Sequence, residues 1–356
     1  MNKIIRLVIL FYFLLSSGAE ISGQTPSRVI EGTSIGKFKL SIYMPPGYDT
    51  LQGCRVLYFN DGQTVFGAHG LNADATANEL LSKKLIEPVI IVGIHSDENR
   101  TSNYVPYFDE GAKQDFGEYQ PMADEYTKKI IELIIPFMEK NYKVKNYRGI
   151  AGYSFGGLHA TWAALNYPEF HFSGSLSPSY WVKDFEIFKE GTKARTDQLY
   201  YFDVGTGEWN YYVPMLLHSK LSILKNIFYY EDFGGRHSIP SWRGDRVRNI
   251  LLLFAGTTDS MKYKWEITQE IIKSEYTGKF YPRINPVITY SNGLKCSISY
   301  AATFSLLNPA DGVVNKDGSF RFTQPRDLKV KIIYKGEEKF ITISYDEVEK
   351  IKLGLN

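Results

Sequence analysis

Cysteine is almost missing: Cys54 and Cys296 are the only two in 356 residues. A chain this long does not need a disulfide to hold its core, and both residues sit on alternating apolar faces, so two buried free thiols are expected. No CxxC pair and no HExxH occurs and the six His are scattered, which leaves no sequence grounds for a zinc centre; neither a metal nor a cofactor is expected. A dominant charge is missing too. Lys plus Arg number 41 and Asp plus Glu 39, and a net charge of +2 gives no field for steering nucleic acid or an anionic membrane. Long apolar runs are confined to the start, where Lys3 and Arg6 precede Leu7 to Leu15 (LVILFYFLL) and the small residues Ser16 to Ala19 follow. The charge-free stretch Leu7 to Ala19 falls short of the ~20 residues a membrane span needs, so residues 1–23 read as a cleaved signal peptide and no membrane span is expected. No Cys lies just behind the run to carry a lipid, and the expected location is secreted or periplasmic.

Aromatic residues, by contrast, are abundant: 26 Tyr, 22 Phe and 5 Trp make 15% of the chain, more than a core of this size requires, so some should line a binding surface. From Arg28 to about Gly256, β-rich runs alternate with helical patterns. Arg55 to Phe59 (RVLYF) and Pro88 to Ile94 (PVIIVGI) have the composition of buried strands and are separated by a helix through Asn78 to Lys84. Met122 to Asn141 reads as a helix that Pro136 kinks or restarts. Further strands are expected over Arg148 to Ala151, Phe172 to Leu176, Leu199 to Val204 and Ile227 to Glu231, with helices near Leu158 to Leu165 and Trp242 to Phe254. Strands and crossover helices in this alternation predict an α/β doubly wound, mostly parallel sheet over residues 24–260.

After Gly256 the texture changes. Residues 261–274 read as a polar, helical linker, and residues 275–356 carry short strands parted by SNG, KDG and KGEE turn signals. That spacing predicts a small all-β sandwich of immunoglobulin-like type, although no Cys-Trp-Cys signature accompanies it. This module is expected to fold as a separate domain, so a chain ending near Ser274 should stay folded and keep whatever activity the larger region carries.

Two segments match GxSxG. Gly152-Tyr153-Ser154-Phe155-Gly156 lies between a strand and a helix, where a sharp turn lifts a serine hydroxyl out of the sheet. Gly32-Thr33-Ser34-Ile35-Gly36 runs into an alternating strand pattern, so Ser34 is expected in a plain hairpin turn. A serine needs a base to take its proton and an acid to orient that base. His237 lies in a Gly-rich loop (FGGRHSIPSW) between a strand and a helix. For the acid, the strand YYFDV offers Asp203 and the following GTGEW offers Glu208, and loop position favours Glu208. His159 and His218 read as packing or surface residues.

The set YFNDGQTVF, NRTSNYVPY, GYSFGGLHA, SPSYW, DVGTGEW and RHSIPSW resembles the esterase D-like branch of the α/β-hydrolases, which includes feruloyl, acetyl-xylan and enterochelin-type esterases and mycolyltransferases. The resemblance covers about Arg28 to Ala255 and implies an α/β-hydrolase fold. It further implies Ser154 as nucleophile, His237 as base, the acid at Glu208, and an oxyanion hole from the backbone N–H groups of Phe155 and Gln63. Among the loop aromatics, Tyr104, Trp181, Trp209 and Trp242 are expected at the substrate edge of the sheet, where flat rings suit a sugar or a phenolic acyl group. Arg100 either meets a substrate carboxylate or braces its loop against Asp109 or Glu110. The expected function is a secreted serine carboxylesterase acting on feruloyl or acetyl esters of plant polysaccharide fragments, with a small-molecule or oligosaccharide ester as partner. Hydrolysis of a siderophore triester, serine acyl transfer, and non-catalytic carbohydrate binding on a hydrolase scaffold are the alternatives.

Overall fold

The computed structural model describes residues 25–208, 226–257, 262–273 and 280–354; the expected signal peptide lies outside them. One eight-stranded sheet organises the first two thirds of the chain, in the order β1-β2-β4-β3-β5-β6-β7-β8. Its strands are β1 (Arg28–Ile35), β2 (Phe38–Met44), β3 (Cys54–Asn60), β4 (Val89–Ile94), β5 (Val144–Tyr153), β6 (Phe172–Leu176), β7 (Leu199–Gly205) and β8 (Ile227–Asp232). The first two strands are antiparallel additions at one edge and the other six run parallel, which forces crossover connections and so layers helices on the sheet. Side chains alternate between two buried clusters: Val56 and Tyr58 enter one, Leu57 and Phe59 the other. This double burial is why the strands read as unbroken apolar runs. Cys54 and Cys296 are free, buried thiols.

Local departures from the sequence reading have local causes. Ser34 is not in the hairpin turn but inside β1, opposite Lys39. The helix expected over Met122 to Asn141 passes through a π-helical turn at Ile130–Ile134 before restarting at Ile135–Asn141, with Pro136 in the new first turn, where its missing N–H leaves no bond broken. The expected helix Trp242 to Phe254 is two pieces, Ile239–Trp242 and Asp245–Ala255, split at Gly244, whose φ of 68° and ψ of −126° no helix accommodates.

The largest correction concerns the linker. Tyr263–Lys273 is neither linker nor helix but a strand, β9, paired antiparallel along its whole length with β10 (Phe280–Tyr290). With β11 (Lys295–Ser297) they form one three-stranded sheet. A second is made of β12 (Thr303–Leu306), β15 (Leu328–Tyr334) and β16 (Glu337–Ile343), and β13 (Gly312–Val314) pairs with β14 (Phe320–Phe322). Trp265, Ile284, Val330 and Ile332 fill the space between the larger sheets. The helix Tyr345–Leu353 closes the described chain. The run Lys295 to Phe304 is divided between β11 and β12, which belong to different sheets. No helix among the described residues is long and apolar enough to cross a membrane.

The module does not stand apart from the large sheet. Arg283 on β10 pairs with Glu231 at the end of β8 at 2.8 Å, both side chains fully buried, and the Glu231 N–H donates to Ser297 Oγ at 2.9 Å. Leu294 and Cys296 join the same apolar cluster as Trp242 and Leu251. A chain ending at Ser274 would take Arg283 away from the buried Glu231 carboxylate, and breaking such a pair costs about 3–5 kcal/mol. We therefore expect that truncation to be insoluble or to lack a cooperative melt. A soluble, cooperatively melting product would show that the large sheet needs nothing from the module.

A pH effect arises at the same seam. Burial, reinforced by Glu231 and only partly offset by Arg283, pushes the Glu270 carboxyl up to about 7. The folded chain then holds this proton to higher pH than the unfolded chain does, so Glu270 lowers stability as pH rises from the ordinary 4.5 towards 7. Glu270→Gln should accordingly melt higher than wild type at pH 8 and show a flatter dependence of Tm between pH 5 and 8. Equal slopes for the two proteins would contradict this assignment.

Candidate active site

Ser154 occupies the single-residue junction between β5 and the helix Phe155–Asn166, with φ 56° and ψ −124°. A side chain held there costs about 1–3 kcal/mol, and the surrounding contacts enforce it. Its N–H donates to the Leu176 carbonyl at 3.0 Å, and its own carbonyl accepts from Gly157, Leu158 and Ser179. Gly152 is obligatory, because a Cβ there would stand 2.5 Å from the Gly156 backbone. The Ser154 hydroxyl lies 3.4 Å from that of Ser179, and no hydrogen bond joins it to His237.

Across the carboxyl edge, His237 sits in the loop following β8, with Nδ1 3.0 Å from Glu208 Oε2. Glu208 comes from the turn after β7 and is only 2% exposed. Its other oxygen accepts from the Ser177 hydroxyl and from the Gly205 N–H, the latter at 2.7 Å, and lies 3.4 Å from Arg246. Burial alone would raise this carboxyl, but the His237 hydrogen bond and the Arg246 charge outweigh it and hold Glu208 below the usual range. Asp203, fully buried within β7, is spent otherwise: it pairs with Arg246, accepts the Ser177 N–H at 3.0 Å and accepts the Tyr201 hydroxyl at 2.9 Å. Burial raises its carboxyl against the pull of that arginine. Of the two acids, Glu208 is the one brought to His237.

Trp242 ties these parts together. Its ring stacks on Tyr153, the residue before the elbow, at 4.4 Å between centroids, and meets His237 edge-on at 5.1 Å. Its indole N–H donates to Ser177 Oγ at 2.8 Å. Trp242 is thus buried scaffolding rather than an open substrate surface. Tyr104, also expected to line the substrate edge, is buried; its hydroxyl accepts the Asp61 N–H at 3.0 Å and its ring stacks on His159. Arg100 does brace its loop, but the carboxylate is Asp61, held bidentately at 2.7 and 2.8 Å, and not Asp109 or Glu110. Trp181 remains half-buried, with its ring 6.1 Å from that of Phe155 at the elbow. Trp209 lies outside the described residues, as does His218.

The loop after β3 reaches the elbow through Asn60, whose amide donates to the Gly156 carbonyl at 2.9 Å, and through Thr64, 3.2 Å from the Tyr153 hydroxyl. Gln63 uses its side chain as a clamp, with Nε2 donating to Ser96 Oγ at 2.7 Å and Oε1 accepting the Ser96 N–H at 3.1 Å. Phe155 supplies the first residue of the helix after the elbow, where backbone N–H groups have no intrahelical partner. His159 is buried between Asn60 and Thr127, and burial lowers it to about 3, so it stays neutral and takes no part in proton transfer.

Ser177, Ser179, Asp61 and Arg246 are site residues that no sequence motif declares. The two serines lie in the SPSYW segment, whose position after a strand was the available signal; Arg246 reads only as one charge on an amphipathic helix.

Fold and elbow define an α/β-hydrolase with a serine at the strand-to-helix turn. The chain belongs to the family described as "Putative esterase", whose sequence profile matches residues 33–245. It is 30% identical over 154 residues, 42% of its own length, to YbbA, an uncharacterized protein of Bacillus subtilis, and the match spans 60% of that curated relative, less than two thirds of it. Among solved structures, it is similar to a siderophore hydrolase, EstB, from Aspergillus nidulans, with TM-score 0.51 at 15% identity, covering 71% of this chain and 98% of that one. A ferulic acid esterase gives TM-score 0.51 at 14% identity, covering 65% and 98%. Identities this low speak to the fold alone.

Proposed function

We propose that this chain is a serine carboxylesterase using Ser154, His237 and Glu208. The observation that carries the reading is the 3.0 Å contact of Glu208 with His237 Nδ1, made by a carboxylate that Ser177, Gly205 and Arg246 pin from its other side. An acid on Nδ1 leaves the proton there and the lone pair on Nε2, the tautomer a base requires.

In this mechanism Ser154 Oγ rotates from Ser179, bonds the ester carbonyl carbon and gives its proton to His237 Nε2. The carbonyl oxygen takes the electron pair and is held by the backbone N–H groups of Phe155 and Gln63; losing one such donor typically costs ~3 kcal/mol. Glu208 stabilises the imidazolium. As the tetrahedral intermediate collapses, the alcohol leaves with that proton, and the acyl group stays on Ser154. Water then attacks the acyl-enzyme while His237 takes its proton and returns it to Ser154, releasing the carboxylic acid.

The substrates we assign are feruloyl or acetyl esters on plant polysaccharide fragments, supported by the half-buried Trp181 beside the elbow. Export to the periplasm or exterior belongs to the same proposal and rests on the segment Leu7 to Leu15. Turnover of methyl ferulate, acetylated xylo-oligosaccharide and a triserine siderophore, each beside p-nitrophenyl acetate, tests the assignment. Preference for either of the first two is expected. A siderophore preference would move the substrate class, and turnover of none would remove the esterase reading.

A further inference from the structure

Ser177, the first residue after β6, is buried and sits in a segment that already serves the elbow. The Leu176 carbonyl before it accepts the Ser154 N–H, and the Ser179 N–H beyond it donates to the Ser154 carbonyl. Its own φ is 42°, in the left-handed region, where a glycine would sit without strain and a serine does not. A side chain held at that cost, in the middle of the site, points to work done by the side chain.

The chemistry of its partners fixes the direction of its proton. The Trp242 indole N–H donates to Ser177 Oγ at 2.8 Å, and Arg246 Nη2 donates to it as well. Indole and guanidinium groups only donate, so together they occupy both lone pairs of the hydroxyl. Its single O–H must then go to the third partner, Glu208 Oε1. That oxygen also receives the Gly205 N–H at 2.7 Å, so a proton placed on it would face two donors. Asp203 anchors Arg246, whose guanidinium stays 3.4 Å from Oε1, too far to replace the hydroxyl.

We propose that Ser177 is a positioning residue for the acid: its hydroxyl, given one direction by Trp242 and Arg246, keeps Glu208 ionised and turned towards His237. The proposal rests on the esterase reading. Because Trp242 stacks on Tyr153, the same hydroxyl also ties the acid to the elbow. Without it the carboxylate loses one donor and pulls harder on the imidazolium, so His237 becomes a free base only at higher pH. The other charges around this pair are Arg246 on its helix, Asp203 on β7 and Asp232 at the end of β8, 4.0 Å from Arg246. Burial pushes Asp232 up to about 6, into the same pH window, but it is common to the proteins compared below and cancels in the comparison.

The test is the pH dependence of kcat and kcat/KM for p-nitrophenyl acetate in wild type, Ser177→Ala and Ser177→Gly. Both variants should lose about tenfold or more in kcat with KM unchanged, since a residue 1% exposed does not meet substrate, and the acid limb of kcat/KM should move up by at least about half a pH unit. Ser177→Gly, relieved of strain at φ 42°, should melt above Ser177→Ala, so that activity and stability part company. Wild-type kcat in the glycine variant, activity that follows Tm across the two variants, or a loss of kcat with an unmoved acid limb would each overturn the proposal while leaving the esterase reading intact. A wild-type chain that turns over no ester would instead remove that reading, and the proposal with it.

Discussion

Ser154→Ala should lower kcat for any ester by about 10⁴-fold or more while leaving the melting temperature near that of wild type. Loss of the nucleophile removes the acyl-enzyme route altogether, and what remains is the oxyanion donors and substrate binding. The stability expectation follows from contacts: the hydroxyl makes one long hydrogen bond, to Ser179, whereas the backbone holds the turn. Ser154→Gly makes the argument sharper. With φ at 56° and ψ at −124°, a Cβ is strained and glycine is not, so this variant should be equally inactive yet melt above Ser154→Ala, by roughly 1 kcal/mol of stability. Ser34→Ala, in the edge strand β1, should behave as wild type in turnover. Residual activity in Ser154→Ala close to the wild-type rate would end the serine mechanism.

The two buried acids should separate cleanly into one of function and one of stability. In Glu208→Gln, one end of the new amide must still accept the Gly205 N–H, which directs the NH₂ towards His237 Nδ1. Two donors cannot face each other there, so the imidazole must present its lone pair to that amide and its proton to Ser154, the tautomer that cannot act as base. The equivalent change in a serine protease costs ~10⁴ in turnover, and a loss of that order is expected here. Asp203→Asn leaves His237 untouched and instead deprives Arg246, only 1% exposed, of its closest carboxylate. Breaking a buried pair costs about 3–5 kcal/mol, so Tm should drop by roughly 5 °C or more while the folded fraction keeps its kcat. The opposite pattern would assign the acid to Asp203, and near-normal turnover in both variants would leave a Ser-His pair working without an acid.

How far the sequence could be read depended on whether a residue's partners were local. Strands such as RVLYF and PVIIVGI declare themselves because both faces are buried, and GYSFG declares the elbow because a strand and a helix adjoin it. The strand β9 was hidden by its company. Tyr263, Trp265 and Ile267 alternate as a strand should, but the opposite face carries Glu266, Thr268 and Glu270, and a polar face reads as solvent when it in fact approaches Glu231 and Arg283 of other elements. The same limit explains the binding residues. Tyr104 and Trp242 read from sequence as substrate-facing rings, and only the fold reveals that both are buried, with Asp61 and Ser177 engaging their polar ends. Arg100 needed a partner, and the sequence neighbourhood supplied Asp109 and Glu110 while the fold supplied Asp61, 39 positions away. Arg246 joins Asp203 and Glu208 across 43 and 38 positions, a separation at which no spacing rule operates.

The most direct measurement is covalent trapping of the nucleophile. A fluorophosphonate ester reacts by forming an Oγ–P bond and expelling fluoride, with the serine proton passing to the base, so it reports nucleophile and base together without any assumption about the natural substrate. Intact-mass analysis followed by peptide mapping should find one adduct per chain, on Ser154, formed rapidly in wild type and slowly in His237→Ala and Glu208→Gln. An adduct on another serine, or labelling of Ser154 at the same rate in all three proteins, would contradict the Ser154–His237–Glu208 assignment.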